Sequence, residues 1–152
     1  MKSETTVVPH QKTPWNPSRK ALKRVGPSLP IPRSCPFCQS KVKISTHKEV
    51  YGKDYGDWPW VYRCEHCDAQ VGMHPFTNLP LGTLADKELR NARKRCKAPF
   101  ESLWRNQQMS RSEAYSALAE HLKISVSACH FGWFDAEQCE EARKWAASMI
   151  KR

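Results

Sequence analysis

The chain has 152 residues, a mean hydropathy of -0.71 and a formal net charge of +10 at pH 7. No apolar run approaches the roughly 20 residues of a membrane-spanning helix, and the first residues lack the apolar centre of a secretion signal. Seven cysteines, an odd number, favour a reducing cytoplasmic location over a disulfide framework.

The positive charge is concentrated in the first two thirds of the chain. Residues 1–34 carry seven basic side chains and one acidic side chain, and residues 35–100 carry eleven and seven. Residues 101–152 balance at seven each. A basic excess of this kind favours a polyanionic partner, with nucleic acid first and an acidic surface of a host protein second.

Residues 1–33 are predicted to be a disordered basic arm. Six prolines interrupt any regular element, and apolar residues are sparse. Trp15 is expected either to dock on the folded part or to stack on a base. The stretch 18–24 is expected to be a solvated tail in the free protein, with one basic helical turn that forms on binding as the alternative. Its candidate phosphate contacts are Arg19, Lys20, Lys23 and Arg24.

Two Cys-x-x-Cys pairs, with 25 residues between them, mark the segment 34–80. Each pair forms a turn that presents two thiolates, and two such turns complete the tetrahedron that Zn²⁺ prefers. Four thiolates leave no open coordination position, so the predicted zinc is structural. His74 stays open as a replacement for one thiolate. The predicted ligands are Cys35, Cys38, Cys64 and Cys67.

Three short antiparallel strands are predicted around these pairs. Lys41 and Lys43 alternate with apolar residues along the first strand and are candidate phosphate contacts. The third strand is predicted at 70–73. Aromatic residues alternate along the second strand, and their face either packs against a helix at about 84–97 or stacks on unpaired bases. These residues are Trp58, Trp60 and Tyr62.

Three helices are predicted in the remaining segment. The first covers about 84–97 and ends before Pro99, and its basic stripe is either a set of phosphate contacts or a solvated face. Capping boxes at Ser110 and Asp135 predict two further helices. Residues 123–134 could be the second half of a helix-turn-helix, but they lack the side chains that read bases. The basic stripe consists of Arg90, Arg93, Lys94 and Lys97.

Catalytic motifs are not found. Neither a Gly-rich phosphate loop, nor Gly-x-Ser-x-Gly, nor His-Glu-x-x-His occurs in the sequence. The catalytic alternative is a Mg²⁺-dependent nuclease with Asp54, Asp57 and Asp68 as ligands, although aspartates in loops more often form turns. The sequence therefore predicts a protein that is not an enzyme.

The chain resembles a family of short zinc-finger-containing proteins that is found in phages and prophage-bearing bacteria and has no known function. The resemblance covers residues 34–145, and it implies a zinc-binding phage-type accessory protein without implying a reaction. It also implies that functional polar residues lie outside the cysteine pairs, at His74, Arg90, Arg111 and His130. The similar runs include Cys35-Pro36-x-Cys38, Tyr51-Gly52-Lys53-x-Tyr55-Gly56, Cys64-x-x-Cys67-Asp68-Ala69 and Cys129-His130-x-Gly132-x-Phe134-Asp135.

These observations together predict an α+β protein. A disordered basic arm (1–33) precedes a small Cys₄ zinc ribbon of three short antiparallel strands (34–80), and about three helices pack on the ribbon (81–152). The predicted function is zinc-dependent binding of nucleic acid, in the regulation of transcription or DNA metabolism. The alternatives are an effector of a host protein, such as RNA polymerase or a defence or repair enzyme, and a metal-dependent nuclease.

Overall fold

The computed structural model describes residues 11–26 and 28–150 and confirms the α+β class. The structure divides between Leu84 and Ala85 into two compact units, which we call the ribbon unit and the helical unit. None of the described helices combines the length and the apolar character needed to cross a membrane. The elements in chain order are α1 (Arg19–Val25), β1 (Val42–Thr46), α2 (His47–Tyr51), β2 (Trp60–Cys64), β3 (Gln70–Gly72), α3 (Lys87–Arg105), α4 (Arg111–Leu122) and α5 (Ala136–Met149).

The ribbon unit is built on an antiparallel sheet with the strand order β1-β2-β3, and the three predicted strands are confirmed. Ile44 faces Tyr62 across the first pair, and Tyr62 faces Val71 across the second. Because paired residues share a face of the sheet, these side chains lie together on the apolar side. Lys43 faces Arg63 on the other side. The core of the unit consists of Cys35, Tyr62, Cys64, Ala69, Met73 and Leu84.

The alternating aromatic residues around β2 pack inside the ribbon unit. Tyr62 is buried, and its hydroxyl donates a hydrogen bond to the carbonyl of Asn78. The indole nitrogen of Trp58 donates to the carbonyl of Thr77 at 2.9 Å, and its ring lies 5.2 Å from the ring of Phe76. The rings therefore pack, but the partners come from the loop after β3, where the sequence analysis expects the helix at about 84–97.

The chain is ordered further upstream than the sequence predicts, because residues 11–26 and 28–33 of the expected disordered arm have defined structure. Trp15, which is 68% exposed, contacts Trp60 edge-on, at 5.4 Å between ring centroids. Ser18 caps α1, its amide donates to the carbonyl of Phe76 at 2.9 Å, and Ala21 is buried. These contacts offset the entropy lost on ordering the segment. Residues 1–10 of the expected arm lie outside the described residues.

Helix α3 continues through Pro99, so the prediction that the proline ends this helix is wrong. Phe100 and Leu103 follow the proline and are fully buried. Burial of each of these side chains stabilises the folded state by about 1.5–3 kcal/mol. A proline in the interior of a helix destabilises that helix by about 3 kcal/mol. The packing of the helix after the proline therefore offsets the cost of the proline within it.

The helical unit encloses its own hydrophobic core. The predicted capping boxes start α4 and α5, since Ser110 and Asp135 accept hydrogen bonds from the amides of Glu113 and Gln138 at 3.0 and 2.8 Å. Two short 3₁₀ turns, Val126–Ala128 and Phe131–Trp133, stand where a helix-turn-helix would need its second helix. The core residues are Cys96, Phe100, Leu103, Ala114, Leu118, Ala119, Cys129, Phe131, Phe134, Cys139, Ala142 and Ala146.

Candidate metal centre and nucleic-acid interface

The first cysteine pair lies in a tight turn before β1. The amide of Cys35 donates to the carbonyl of Ser40, and the amide of Gln39 donates to the carbonyl of Cys35, both at 2.8 Å. Gln39 closes the turn with a φ of 64°. The amide of Phe37 points at the sulfur of Cys35, at 3.4 Å. An N–H group directed at a metal-bound sulfur would form a charge-assisted hydrogen bond with it.

The second cysteine pair forms an equivalent turn at the end of β2. The amide of Cys64 donates to the carbonyl of Ala69 at 2.9 Å. The amides of His66 and Cys67 both point at the sulfur of Cys64, at 3.3 and 3.4 Å. One amide in the first turn and two amides in the second therefore direct positive partial charge at the sulfur of the first cysteine.

The two turns bring all four predicted ligands together, with every sulfur within 4.8 Å of the others. Cys35 and Cys67 are 3.6 Å apart at sulfur, and Cys38 and Cys64 are 3.4 Å apart. These distances exceed the roughly 2.05 Å of a disulfide bond. They are close to the sulfur–sulfur distance of about 3.8 Å in a tetrahedral site with Zn–S bonds of about 2.3 Å. His74 is not in this group, which is the only such group among the described residues.

Two thiols of this group have shifted pKa values. The hydroxyl and the amide of Ser40 bond to the sulfur of Cys38 and lower the pKa of that thiol to about 6. The amide of Ala69 acts in the same direction on Cys67, but desolvation and bonds with neighbouring thiols outweigh it and raise the Cys67 pKa to about 12. At neutral pH a metal ion must therefore displace the proton of Cys67, whereas Cys38 is already ionised.

A groove along β1 collects basic side chains of the ribbon unit. This strand is an edge of the sheet, and the predicted phosphate contacts Lys41 and Lys43 are exposed along it. Together with Arg33 they line a cavity of about 390 Å³, in which Glu65 is the acidic lining residue. The apolar parts of the lining come from residues 31–32 and from β1 and Tyr62. The groove therefore combines positive charge with apolar surface.

A polar row runs from this groove across the sheet. Lys43 faces Arg63, and Arg63 faces Gln70, so the three side chains share one face. Gln70 then donates from Nε2 to the hydroxyl of Tyr51 at 2.6 Å. Glu49 lies beside the row: a backbone hydrogen bond at the start of α2 lowers its pKa, and Lys43 and Arg63 add to that effect. The row remains basic, with one carboxylate next to two cations.

An exposed aromatic cluster ends this row. The rings of His47, Tyr51 and Tyr55 lie with centroids 5.7, 5.8 and 6.0 Å apart. Tyr51 and Tyr55 are 49% and 50% exposed, and the Lys53 ammonium lies 5.2 Å from the Tyr55 ring centroid. In the sequence, the candidates for base stacking are Trp15 and the aromatic face of β2, and these rings are not among them. The sequence feature that could have indicated this cluster is Lys53 between two tyrosines.

Helix α1 presents the four predicted cations of the arm to solvent. At 100° per residue, they fall within about 140° of the helix circumference. Ala21, which is buried, lies on the opposite side. The helix therefore separates a cationic face from a packing face. The cationic face consists of Arg19, Lys20, Lys23 and Arg24.

The basic stripe predicted on α3 divides into two kinds of residue. Arg90 donates to the carbonyl of Ala85 at 2.7 Å, and Arg93 donates from Nε to the carbonyl of Phe134 at 3.0 Å. Burial also lowers the pKa of Arg93. Both arginines therefore serve contacts inside the helical unit. The exposed members of the stripe are Lys94 and Lys97.

The polar residues singled out by the resemblance lie in both units. In the ribbon unit, the carbonyl of His74 accepts from the hydroxyl of Thr77 at 2.8 Å. In the helical unit, Arg111 and His130 line one cavity of about 460 Å³. Two of these residues are therefore neighbours in space although 18 residues lie between them in the sequence.

The aspartates of the nuclease alternative do not form a metal-binding group in the described part of the chain. Asp54 accepts a hydrogen bond from the amide of Lys48 at 3.0 Å, which is the role of a turn-forming residue. Asp57 and Asp68 are exposed.

A family model for a zinc-finger-containing domain matches residues 31–149. No curated protein and no solved structure shows significant similarity to the chain.

Proposed function

Because the chain belongs to the family of zinc-finger-containing domains, we propose that its four clustered cysteines hold a structural zinc ion and that its ribbon unit binds single-stranded nucleic acid. The polar row that joins the β1 groove to the exposed tyrosines carries this proposal.

Zinc supplies the rigidity that the binding surface needs. β1 follows the first cysteine turn, and β2 ends in the second, so one metal fixes both strands of the basic row. The bound Zn(Cys)₄ group carries a charge of about -2. The ribbon unit has twelve basic and six acidic side chains in residues 1–84, so it keeps a net positive charge when zinc is bound.

The basic part of the surface suits a phosphate backbone. Lys41 and Lys43 point from the same side of an edge strand, and Arg33 and Arg63 flank them in the groove and in the row. Charges spaced along one line follow a chain of phosphates better than they fit a single anion. Helix α1 offers a further cationic face in the same unit.

The aromatic part of the surface favours a single strand over a duplex. Tyr51 and Tyr55 expose about half of their surface, and an unpaired base can stack on such a ring. Stacking of this kind contributes about 1–3 kcal/mol per base. Paired bases in a duplex are already stacked and offer no free face to these rings.

Binding to labelled single-stranded DNA and RNA across a salt series tests the proposal. Lys41→Gln combined with Lys43→Gln removes two phosphate contacts, so the slope of log K against log salt should fall by about 1.4. Lys87→Gln combined with Lys144→Gln removes the same charge from exposed positions of the helical unit and should leave the slope unchanged. Binding that is insensitive to salt, or equal slopes for both pairs, would contradict the proposal.

The stacking contribution has its own matched pair of variants. Tyr55→Leu removes the ring and should weaken single-strand binding about fivefold or more. Tyr55→Phe keeps the ring and should bind like the unchanged protein.

An acidic polypeptide such as polyglutamate serves as a competitor, because stronger binding of that polymer would favour an acidic protein surface as the partner. A phage association, a cytoplasmic location and the lack of catalysis stay predictions.

A further inference from the structure

The helical unit contains an open cavity that the proposed binding of nucleic acid does not use. Its volume is about 460 Å³, within the range of small-molecule sites. It lies between the first turn of α4 and the 3₁₀ turns that precede α5. Its lining residues are Arg111, Ser112, Tyr115, Val126, Cys129 and His130.

Arg111 is held in place by aromatic rings. Its guanidinium carbon lies 4.8 Å from the centroid of the Tyr115 ring and 5.7 Å from that of Trp104. Tyr115 is itself fixed by an edge-on contact with Phe100 at 4.8 Å. Cation–π contacts of this kind orient a guanidinium without neutralising it. Less side-chain entropy is therefore lost when Arg111 binds an anion.

The positive charge of Arg111 is not balanced by a carboxylate. Within the described residues Arg111 forms no ion pair. Glu113 is engaged in the capping box of α4, and Glu101 lies 3.6 Å from Arg105. An oriented guanidinium that faces a cavity without a carboxylate partner has the chemistry of an anion site.

The remaining lining supplies hydrogen-bond donors on one side and apolar surface on the other. Ser112 and Tyr115 contribute hydroxyl groups. Burial raises the pKa of Tyr115, although a hydrogen bond from Arg111 to this phenol acts in the opposite direction. A tyrosine phenol is protonated at neutral pH and can donate. His130 adds an imidazole held 4.5 Å from the ring of Trp133. Val126, which is 54% exposed, and Cys129 form the apolar wall.

We infer that this cavity binds a small phosphate monoester that carries a flat ring, with a nucleoside monophosphate as the simplest example. The forked N–H groups of Arg111 match two phosphate oxygens, and His130 and the hydroxyls can donate to the third. A phosphate monoester suits this donor set better than a carboxylate, which has two oxygens. The ring would cover the exposed Val126.

Titration of the zinc-loaded full chain with adenosine 5′-monophosphate, followed by backbone NMR, tests the inference. The ligand should shift amide resonances around the cavity. Adenosine, which lacks the phosphate, should bind at least about tenfold more weakly, because charged hydrogen bonds contribute about 1.5–3 kcal/mol. Equal binding of the two ligands, or no binding of the monophosphate at millimolar concentration, would overturn the inference.

Arg111→Met and Arg105→Met form a matched pair of variants. Both arginines lie over the ring of Trp104, but Arg105 is not a lining residue and lies 3.6 Å from Glu101. Arg111→Met should weaken monophosphate binding at least about tenfold, and Arg105→Met should leave it unchanged. Val126→Glu, at an exposed position, should also abolish binding through charge repulsion.

Unchanged binding in both Arg111→Met and Val126→Glu would overturn the site, and if Arg111→Met does not fold, the Val126 variant decides alone. Binding of oligonucleotides by the ribbon unit is measured separately from this titration. Failure of either proposal would therefore leave the other standing.

Discussion

Removal of the metal is predicted to unfold the ribbon unit and to leave the helical unit folded. The core of the ribbon unit has six buried residues, and two of them, Cys35 and Cys64, are metal ligands. Its three large apolar members contribute about 1.5–3 kcal/mol each by burial, or about 5–9 kcal/mol together. Structural zinc contributes about 10–16 kcal/mol at neutral pH. A zinc ion held by the four cysteines would therefore contribute more than these three side chains together.

The helical unit does not share this dependence. Its core has twelve buried residues and lacks the four clustered cysteines. After chelation we expect the amide resonances of β1, β2 and β3 to collapse into the random-coil range. The helical circular dichroism signal from α3, α4 and α5 should persist.

The assay combines NMR with mass spectrometry, which reports whether zinc has left the protein. Cys67→Ser should lose the metal and reproduce the effect of the chelator, whereas Cys139→Ala, at a buried cysteine of the helical unit, should keep one zinc per chain. A zinc-free protein whose strand resonances stay dispersed would refute the assigned role of the metal.

Three further predictions concern the metal thiols and the helical unit. Between about pH 6 and 8, the log of the zinc association constant should rise by at least about 1 per pH unit, because the Cys67 proton must leave. Below pH 6 the constant should decrease more steeply as the pH is lowered, because Cys38 is then protonated as well. Competition with a chromophoric chelator measures this constant. Phe100→Ala should lower the free energy of unfolding by about 3–5 kcal/mol in a denaturant titration, because the side chain is fully buried. Ser110→Ala should cost about 1 kcal/mol in the same assay through loss of the α4 capping box, and a cost near zero would contradict the cap.

The sequence predicts the metal centre well because its signal is local. A Cys-x-x-Cys turn fixes two sulfurs within four residues, and a tetrahedral metal imposes the relation between the two turns. The capping boxes at Ser110 and Asp135 are local in the same way, since each joins residues three apart. These features follow from spacing alone and agree with the structure.

The features that the sequence does not predict depend on contacts between distant residues. The helix through Pro99 continues because Phe100 and Leu103 meet the core of the helical unit, which the proline rule does not include. The ordering of residues 11–26 and 28–33 depends on contacts of Trp15 and Ser18 with residues far along the chain. Tertiary packing overrides local preference in both cases.

Contacts between distant residues also decide which candidate binding residues remain available to a partner. Arg90 and Arg93 belong to one predicted stripe with Lys94 and Lys97, yet both arginines hydrogen-bond to carbonyl groups within the helical unit. Tyr51 joins the basic row through Gln70, which the register of β2 and β3 places opposite Arg63. Helical spacing gives the direction of a side chain, but the fold decides what lies there.

Chemical-shift mapping of the zinc-loaded protein with a short single-stranded oligonucleotide at low salt tests the central claim most directly. The proposed interface predicts shifts that concentrate at Lys41, Lys43 and Arg63 and extend to Tyr51 and Tyr55, and that fade as salt rises. An absence of shifts, or shifts confined to the helical unit, would contradict the assignment of nucleic-acid binding to the ribbon unit.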